Sequence, residues 1–261
     1  MKTPQYIQYY DMHGNFNRGF LHPGGKQATE KLLSFLPQLG KESIVVEIGC
    51  GTGETAKLLL ERFPYSYIGL DAAPAMLDKA KSALSPYSDR VSLIKCDLRV
   101  DLFPVPAESI DAIIAESVIA ILAPQTIFRE CYRVLKRGGI LAWNDRLWGE
   151  TVSPSDRLKI NKECKRLLGF PAAPDDLPKA DDWKNLMESC GFKILLAEKL
   201  LSSTHVARLH QGSVMPKRTK LVHLLVNLNL LRFWYYDRAI ERKYRELWQK
   251  MENWIFVAKK G

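Results

Sequence analysis

Residues Glu47-Ile48-Gly49-Cys50-Gly51-Thr52-Gly53-Glu54-Thr55 follow the run Ile44-Val45-Val46 and constrain this chain more than any other stretch. The β-branched run predicts a strand, the glycines a sharp turn, and the residues after them a helix. Glycine takes positive φ and carries no Cβ. Backbone at Gly49, Gly51 and Gly53 can therefore bend tightly and approach a ligand that a larger residue would hold off. Strand, glycine turn and helix in that order suit a nucleoside, and spacing narrows the choice. A dinucleotide fingerprint requires a third small residue three positions after its second glycine, where the helix N-terminus faces a pyrophosphate. That position is Glu54, whose carboxylate repels a diphosphate and tolerates a ligand without phosphates.

Three further segments repeat the pattern of a strand with a polar tip, and a fourth adds a helix and another strand. Ser66-Tyr67-Ile68-Gly69-Leu70-Asp71 reads as a second strand, its carboxylate 18 positions beyond Gly53 and able to accept from two ribose hydroxyls. Val91 to Leu98 reads as a third strand ending at Asp97, and Ile110 to Glu116 as a fourth. Tyr132 to Ala142 reads as a helix, a Gly138-Gly139 turn and a fifth strand. Helical stretches lie between them. Pro74 opens the run Ala75 to Leu84 from the favoured first helical position, and Gly138-Gly139 is expected to stop the helix that starts near Pro124. Strands alternating with helices indicate a parallel sheet with helices on both faces, and right-handed crossovers bring Gly49, Asp71, Asp97 and Glu116 to one edge.

Gly49-x-Gly51-x-Gly53 with Glu47 two positions before it, followed by these elements in order, resembles the class I S-adenosylmethionine-dependent methyltransferases of small-molecule type over residues 20–145. The resemblance implies an α/β fold: a Rossmann-like seven-stranded, mostly parallel sheet with helices on both faces. It implies S-adenosyl-L-methionine as cofactor and S-adenosyl-L-homocysteine as product, with no metal. Gly49, Cys50, Gly51 and Gly53 would approach the methionyl part, and Glu47 would orient its amino group. Asp71 would hold the ribose hydroxyls, Ala72 and Met76 flank the adenine, and Asp97 with the backbone of Leu98 read its amino edge. Glu116 falls at the methyl-transfer end, beside the cofactor. Displacement at a sulfonium mainly needs alignment, worth about 7–11 kcal/mol, so no dedicated protein nucleophile is required.

Glu116, Asn144, Tyr10 and His22 are the catalytic candidates; Tyr9, His13, Asp145 and Arg146 could share the acceptor pocket. Each has a structural alternative as a core, capping or surface residue. His22-Pro23-Gly24-Gly25 reads as a segment over the cofactor. Ala115-Glu116-Ser117-Val118 is not the Asn/Asp-Pro-Pro-aromatic signature of nucleic-acid amino methyltransferases, and there is no Pro-Cys pair of the kind used on cytosine C5. A small, apolar or amphipathic acceptor is therefore the leading expectation. An RNA or DNA methyltransferase and a non-catalytic cofactor-binding module are the alternatives.

At 261 residues, the chain is expected to form one methyltransferase domain with two additions. Residues 145–182, with four prolines around the helical stretch Ser155 to Leu168, read as a lid or insert. Phe192 to Leu200 reads as a sixth strand and Trp254 to Ala258 as the last. The family normally joins these two by a hairpin, so residues 201–252 read as a helical, basic insert before the last strand. Within it Leu221 to Tyr236 carries His223, Asn227 and Arg232 among apolar residues, suited to a core, to a cover over the substrate, or to a membrane surface. Residues 1–190 hold 24 Lys+Arg and 24 Asp+Glu, whereas the last 71 hold 14 against 5, so the whole net charge of +9 lies there. A basic C-terminal face could meet lipid, nucleic acid, an acidic substrate or only solvent. Five scattered cysteines without a CxxC pair, no secretory pattern near Met1 and no run of 18 apolar residues suggest a cytoplasmic protein.

Overall fold

The computed structural model describes residues 3–15, 22, 24–37, 39–200 and 228–261. In chain order the helices are α1 (Gln5–Asn15), α2 (Gly25–Leu33), α3 (Glu54–Arg62), α4 (Pro74–Ala83), α5 (Pro124–Val134), α6 (Pro154–Leu168), α7 (Ala180–Ser189), α8 (Leu228–Lys243) and α9 (Arg245–Lys250). The strands are β1 (Ile44–Ile48), β2 (Ser66–Asp71), β3 (Val91–Lys95), β4 (Ile110–Glu116), β5 (Leu135–Leu147), β6 (Phe192–Lys199) and β7 (Glu252–Lys260).

The strands form one sheet in the order β3-β2-β1-β4-β5-β7-β6. β1 to β5 are parallel, and β7 runs antiparallel to both β5 and β6. Side chains alternate across a strand, so both faces of this sheet must be apolar if helices cover both. They are. Val46, Ile48, Ile113, Ala115, Leu141 and Trp143 join α5 and α7 in one core through Phe128 and Trp183. Val45, Ala112, Ile114, Ile140 and Ala142 join α2 and α3 in the other through Leu32 and Leu59. Trp143 stacks on Phe256 of β7 at 4.4 Å between ring centroids, which pins the antiparallel strand.

Pro74, Pro124 and Pro154 each occupy a first helical position, where the missing N–H has no intrahelical partner in any case. Gly138-Gly139 does not end α5, as the sequence suggests. The helix stops at Val134, Leu135 turns extended (φ −66°, ψ 139°), and β5 begins there. The glycines serve a bulge instead: β5 pairs Leu135 with Ile110, slips register, then pairs Ile140 with Ala112, with Gly138 at φ +79°.

β6 and β7 pair from Phe192↔Lys260 to Lys199↔Trp254, so they remain hairpin partners across the long insert. Loop-closure entropy rises only slowly with length, which makes such an insertion tolerable. Of the insert, residues 201–227 lie outside the described residues, including the first part of the Leu221 to Tyr236 stretch with His223 and Asn227. The described part, α8, packs on α6 and α1. Ile240 joins Ile160, Cys164, Leu167 and Trp148 in a third core, and Met12 of α1 meets Trp234 and Tyr236. No helix of the described residues is long and apolar enough to cross a membrane.

Candidate active site

The chain leaves β1 toward β2 and β3 on one side and returns to β4 and β5 on the other, opening a crevice at the carboxyl ends of β1 and β4. A cavity of about 170 Å³ occupies it. On its floor the glycine turn is hung from β2, since the N–H groups of Gly49 and Cys50 both donate to the carbonyl of Leu70, at 2.8 and 3.0 Å. Gly49 sits at φ +68°, and a Cβ there would lie 3.1 Å from the Val118 side chain. Gly51, at φ +52°, has open space where a Cβ would go, with the Gly49 carbonyl at 4.0 Å. The first glycine is thus required by packing and the second leaves bare backbone against the cavity. Gly53 is not on the cavity wall; it caps the N-terminus of α3.

Asp71, at the tip of β2, accepts from the Gly51 N–H at 2.9 Å through Oδ2 and from the Ala73 N–H at 2.8 Å through Oδ1. Each oxygen keeps a lone pair for a ligand hydroxyl. Burial raises its carboxyl to about 6, against the pull of those two N–H groups. Glu47 lies deeper in β1, where its Oε2 accepts from the Tyr67 hydroxyl at 2.6 Å. Burial pushes its carboxyl well above the ordinary range, and the nearby Glu116 and Asp71 add to the effect.

The β3 end of the cavity is lined by Ala72, Met76, Cys96, Asp97, Leu98 and Arg99. Here α1 closes over the sheet. The Tyr6 hydroxyl donates to Asp97 Oδ2, and the Arg99 guanidinium lies 3.7 Å above the Tyr6 ring. Burial, together with Asp97, lifts the Tyr6 phenol to about 12. Arg99 itself donates to the Gly169 carbonyl at 3.3 Å, tying this end to the segment after α6.

At the β4 end four polar side chains surround Glu116. Thr55 Oγ1 gives 2.8 Å to Oε1, Asn144 Nδ2 gives 2.6 Å to Oε2, and Thr29 Oγ1 lies at 3.0 Å from Oε2. His22 Nδ1 is 3.3 Å from the same oxygen, while its Nε2 lies 3.1 Å from Thr29 Oγ1. With its side chain 4% exposed, this carboxylate is fixed in place by α2, α3 and β5 at once. Next to it Ser117 adopts φ +54°, rare for a residue with a side chain, and its Oγ is buried with no partner among the described residues. Asn144 Oδ1 is orphaned in the same way.

Every residue expected to contact cofactor reaches this cavity except Gly53. Tyr10 and His22 line it as well, whereas Asn144 stands behind Glu116. The other acceptor candidates lie elsewhere. Tyr9 donates to Asp237 of α8 at 2.8 Å, His13 is buried against the Tyr9 ring, and Arg146 lies over Trp248. Asp145 accepts from the backbone of Ala120 and Arg146, and burial raises its carboxyl to about 6. Sequence reasoning missed Tyr6, Thr29, Thr55, Arg99, Ser117 and the apolar wall Val118, Ile121 and Leu122. For Tyr6 a signal existed, since Tyr6, Tyr9, Tyr10 and His13 recur at the three- and four-residue spacings of a helix.

Bare backbone on the floor and carboxylates at three strand tips, set around one cavity at a sheet's switch point, define a Rossmann-like nucleoside-binding protein. The family model described as "Methyltransferase domain" matches residues 46–143. The uncharacterized methyltransferase YodH of Bacillus subtilis is 26% identical over 194 residues, 74% of this chain and 78% of that protein. The malonyl-[acyl-carrier protein] O-methyltransferase of Paenibacillus is 26% identical over 200 residues, 73% of this chain and 68% of that protein. The fold also matches the Haemonchus contortus phosphoethanolamine N-methyltransferase 2 in complex with S-adenosyl-L-methionine, at TM-score 0.69 and 20% identity, covering 97% of this chain and 56% of that one. The match over residues 46–143, the methyltransferase relatives and the fold together support a class I S-adenosylmethionine-dependent methyltransferase, with S-adenosylmethionine as the cofactor of that family.

Proposed function

We propose that the protein methylates a small, apolar or amphipathic acceptor held between α1 and the tip of β4. The observation that carries this reading is the lining beyond the glycine turn: Val118, Ile121 and Leu122 share with Tyr10 and His22 the cavity that the cofactor residues also line, roofed by α1. Such a space suits a small molecule with one polar group better than a polymer. The residues fit the cofactor. Gly51 offers backbone that no side chain crowds, Asp71 has lone pairs left for ribose hydroxyls, and Met76 and Leu98 provide an apolar slot beside Asp97 for adenine.

Bound cofactor supplies a methyl group activated by its sulfonium. In this reading the chain's own residues hold and orient. Gly49, Cys50 and Gly51 bear on the methionyl part with Glu47 toward its amino group, while Asp71 and Asp97 fix the sugar and the base. Glu116, clamped by Thr29, Thr55, Asn144 and His22, sets the electrostatics where the methyl group leaves. Its hydrogen bonds hold the carboxylate still, which is how a preorganised site acts without reorganising during the reaction.

Calorimetric titration with S-adenosylhomocysteine tests the cofactor half, and release of that product in the presence of candidate acceptors tests the other. A medium-chain fatty acid, a malonyl thioester and phosphoethanolamine separate apolar, acidic and amine acceptors. Turnover of one or more small acceptors is expected. Turnover of transfer RNA or duplex DNA, with none of the small acceptors methylated, would replace this reading with a nucleic-acid methyltransferase.

A further inference from the structure

α8 has two unlike faces. One packs inward: Tyr236 and Ile240 join the third core, Trp234 lies against Met12, and Asp237 accepts from Tyr9 of α1. The other carries Leu228, Leu231, Tyr235 and Arg242, spaced 3, 4 and 7 residues apart, while Arg238 is half-buried with its guanidinium 5.5 Å from the Trp234 ring centroid. That spacing is one helical stripe, since 3.6 residues make a turn. Leu228 is 77% exposed, Leu231 36% and Tyr235 63%. Arg232 lies beside the stripe and is exposed, as is Arg242, whereas both acidic residues of the helix, Asp237 and Glu241, lie away from the stripe.

We infer that α8 docks the protein on an anionic lipid surface. An apolar row flanked by basic residues, with no carboxylate among them, matches the layering of a bilayer edge. Leucine side chains enter the acyl boundary, the tyrosine ring sits at headgroup level, and guanidinium groups meet lipid phosphates. The charge of the helix points the same way, since α8 carries Arg232, Arg238, Arg242 and Lys243 against Asp237 and Glu241. A nucleic-acid surface would satisfy the arginines and leave Leu228 and Leu231 in water, so lipid accounts for the whole stripe. α8 also rests on α1, whose Tyr6 and Tyr10 line the cavity. A docked α8 would bring the cavity within one helix of the membrane, where an apolar acceptor is concentrated. The inference concerns a surface outside the cavity and goes beyond the acceptor reading.

The test is co-sedimentation of the full chain with vesicles of phosphatidylcholine alone or mixed with phosphatidylglycerol, at low and high salt. Binding to the mixed vesicles is expected, and it weakens as salt rises. Arg242→Gln should lower the partition coefficient about fivefold, the factor equivalent to about 1 kcal/mol per basic residue near an anionic surface. Leu231→Asp and Tyr235→Asp should abolish binding. Lys79→Gln, an exposed change of equal charge on α4, should leave it unaltered. Affinity for S-adenosylhomocysteine should be equal in all variants, which separates failure of the surface from failure of the active site. Absence of binding to phosphatidylglycerol vesicles at low salt, full binding by Leu231→Asp, or an equal loss in Lys79→Gln would overturn the inference. So would salt-sensitive binding to duplex DNA that Leu231→Asp leaves intact, when vesicles are not bound.

Discussion

Ser117 holds a left-handed backbone that costs a residue with a Cβ about 1–2 kcal/mol, and its buried hydroxyl has no partner among the described residues. Both features are unfavourable and both lie on the cavity wall, where strain and orphaned polar atoms accompany function. Ser117→Gly relieves the strain but loosens the unfolded chain, so a net gain of roughly 0.5–1 kcal/mol is expected. Thermal unfolding should move up by a few degrees while product release slows. Ser117→Ala should slow turnover with no such gain in stability, and unaltered turnover in both variants would reduce Ser117 to a turn residue. Asp71 gives a second expectation. Its folded carboxyl titrates near 6, above the ordinary 3.8, so the free protein prefers it protonated, and that preference is lost as pH rises through 6. Ribose hydroxyls donate to the ionised form. Affinity for S-adenosylhomocysteine should therefore be highest above pH 6 and fall by up to about tenfold per unit below it, as titration calorimetry across pH would register. Asp145 also titrates near 6 but does not line the cavity, so Asp145→Asn should leave the affinity profile unaltered. Asp71, Asp97 and Glu116 were legible because each follows an apolar strand run, and Glu47 because it stands two residues before the glycine turn. Thr29, Thr55 and Ser117 were not, because their roles come from register and helix placement between elements distant in the chain.

At the scale of elements, legibility followed how many independent signals marked each boundary. α4 carries proline at its start and helix formers within, and its span Pro74–Ala83 lies within one residue of the expected run. β1, β2 and β4 end where an apolar run meets an acidic residue or a glycine, and they begin and end as read. The start of β5 misled because two glycines after basic residues imitate a helix terminus. What decides the outcome is pairing: Leu135 opposite Ile110 gains a ladder bond, and Lys136 reaches Asp111 at 2.8 Å across the strands, so the chain goes extended before the glycines arrive. α1 was obscured for another reason. Its face toward the start of α4 consists of Tyr6, Ile7 and Tyr10, and its face toward α6 and α8 of Tyr9, Met12 and His13. A helix apolar on both sides shows no single stripe, and hydroxyl-bearing rings lower the apparent hydropathy of a segment that is largely buried.

Across the whole molecule, the sheet supplies the floor of the cavity and α1 its roof, with α6 and α8 packed against α1 from behind. This helical layer is joined to the floor at separate points around the cavity. Tyr6 donates to Asp97, the Ala75 N–H donates to Asp11 of α1 at 2.9 Å, and Arg99 reaches Gly169. Within the layer Gln5 donates to the Leu167 carbonyl at 2.6 Å and Tyr9 to Asp237. α7, in contrast, packs on β6 and α5 through the core on the far side of the sheet. A ligand seated between floor and roof adds contacts that are lost when α1 lifts, and it adds nothing that an opening of α7 alone would break. Linkage then sets the size of the effect: at a hundred times its dissociation constant a ligand stabilises the bound form by about 2.7 kcal/mol. Hydrogen exchange in α1 should accordingly slow by up to about a hundredfold with S-adenosylhomocysteine, while amides of α7 that exchange by local opening keep their rates. α6 and α8 should follow α1 to the extent that the layer moves as a unit. Exchange that is slowed equally in α1 and α7 would mean that the ligand only opposes global unfolding, and unaltered exchange in α1 would remove it from the ligand's enclosure.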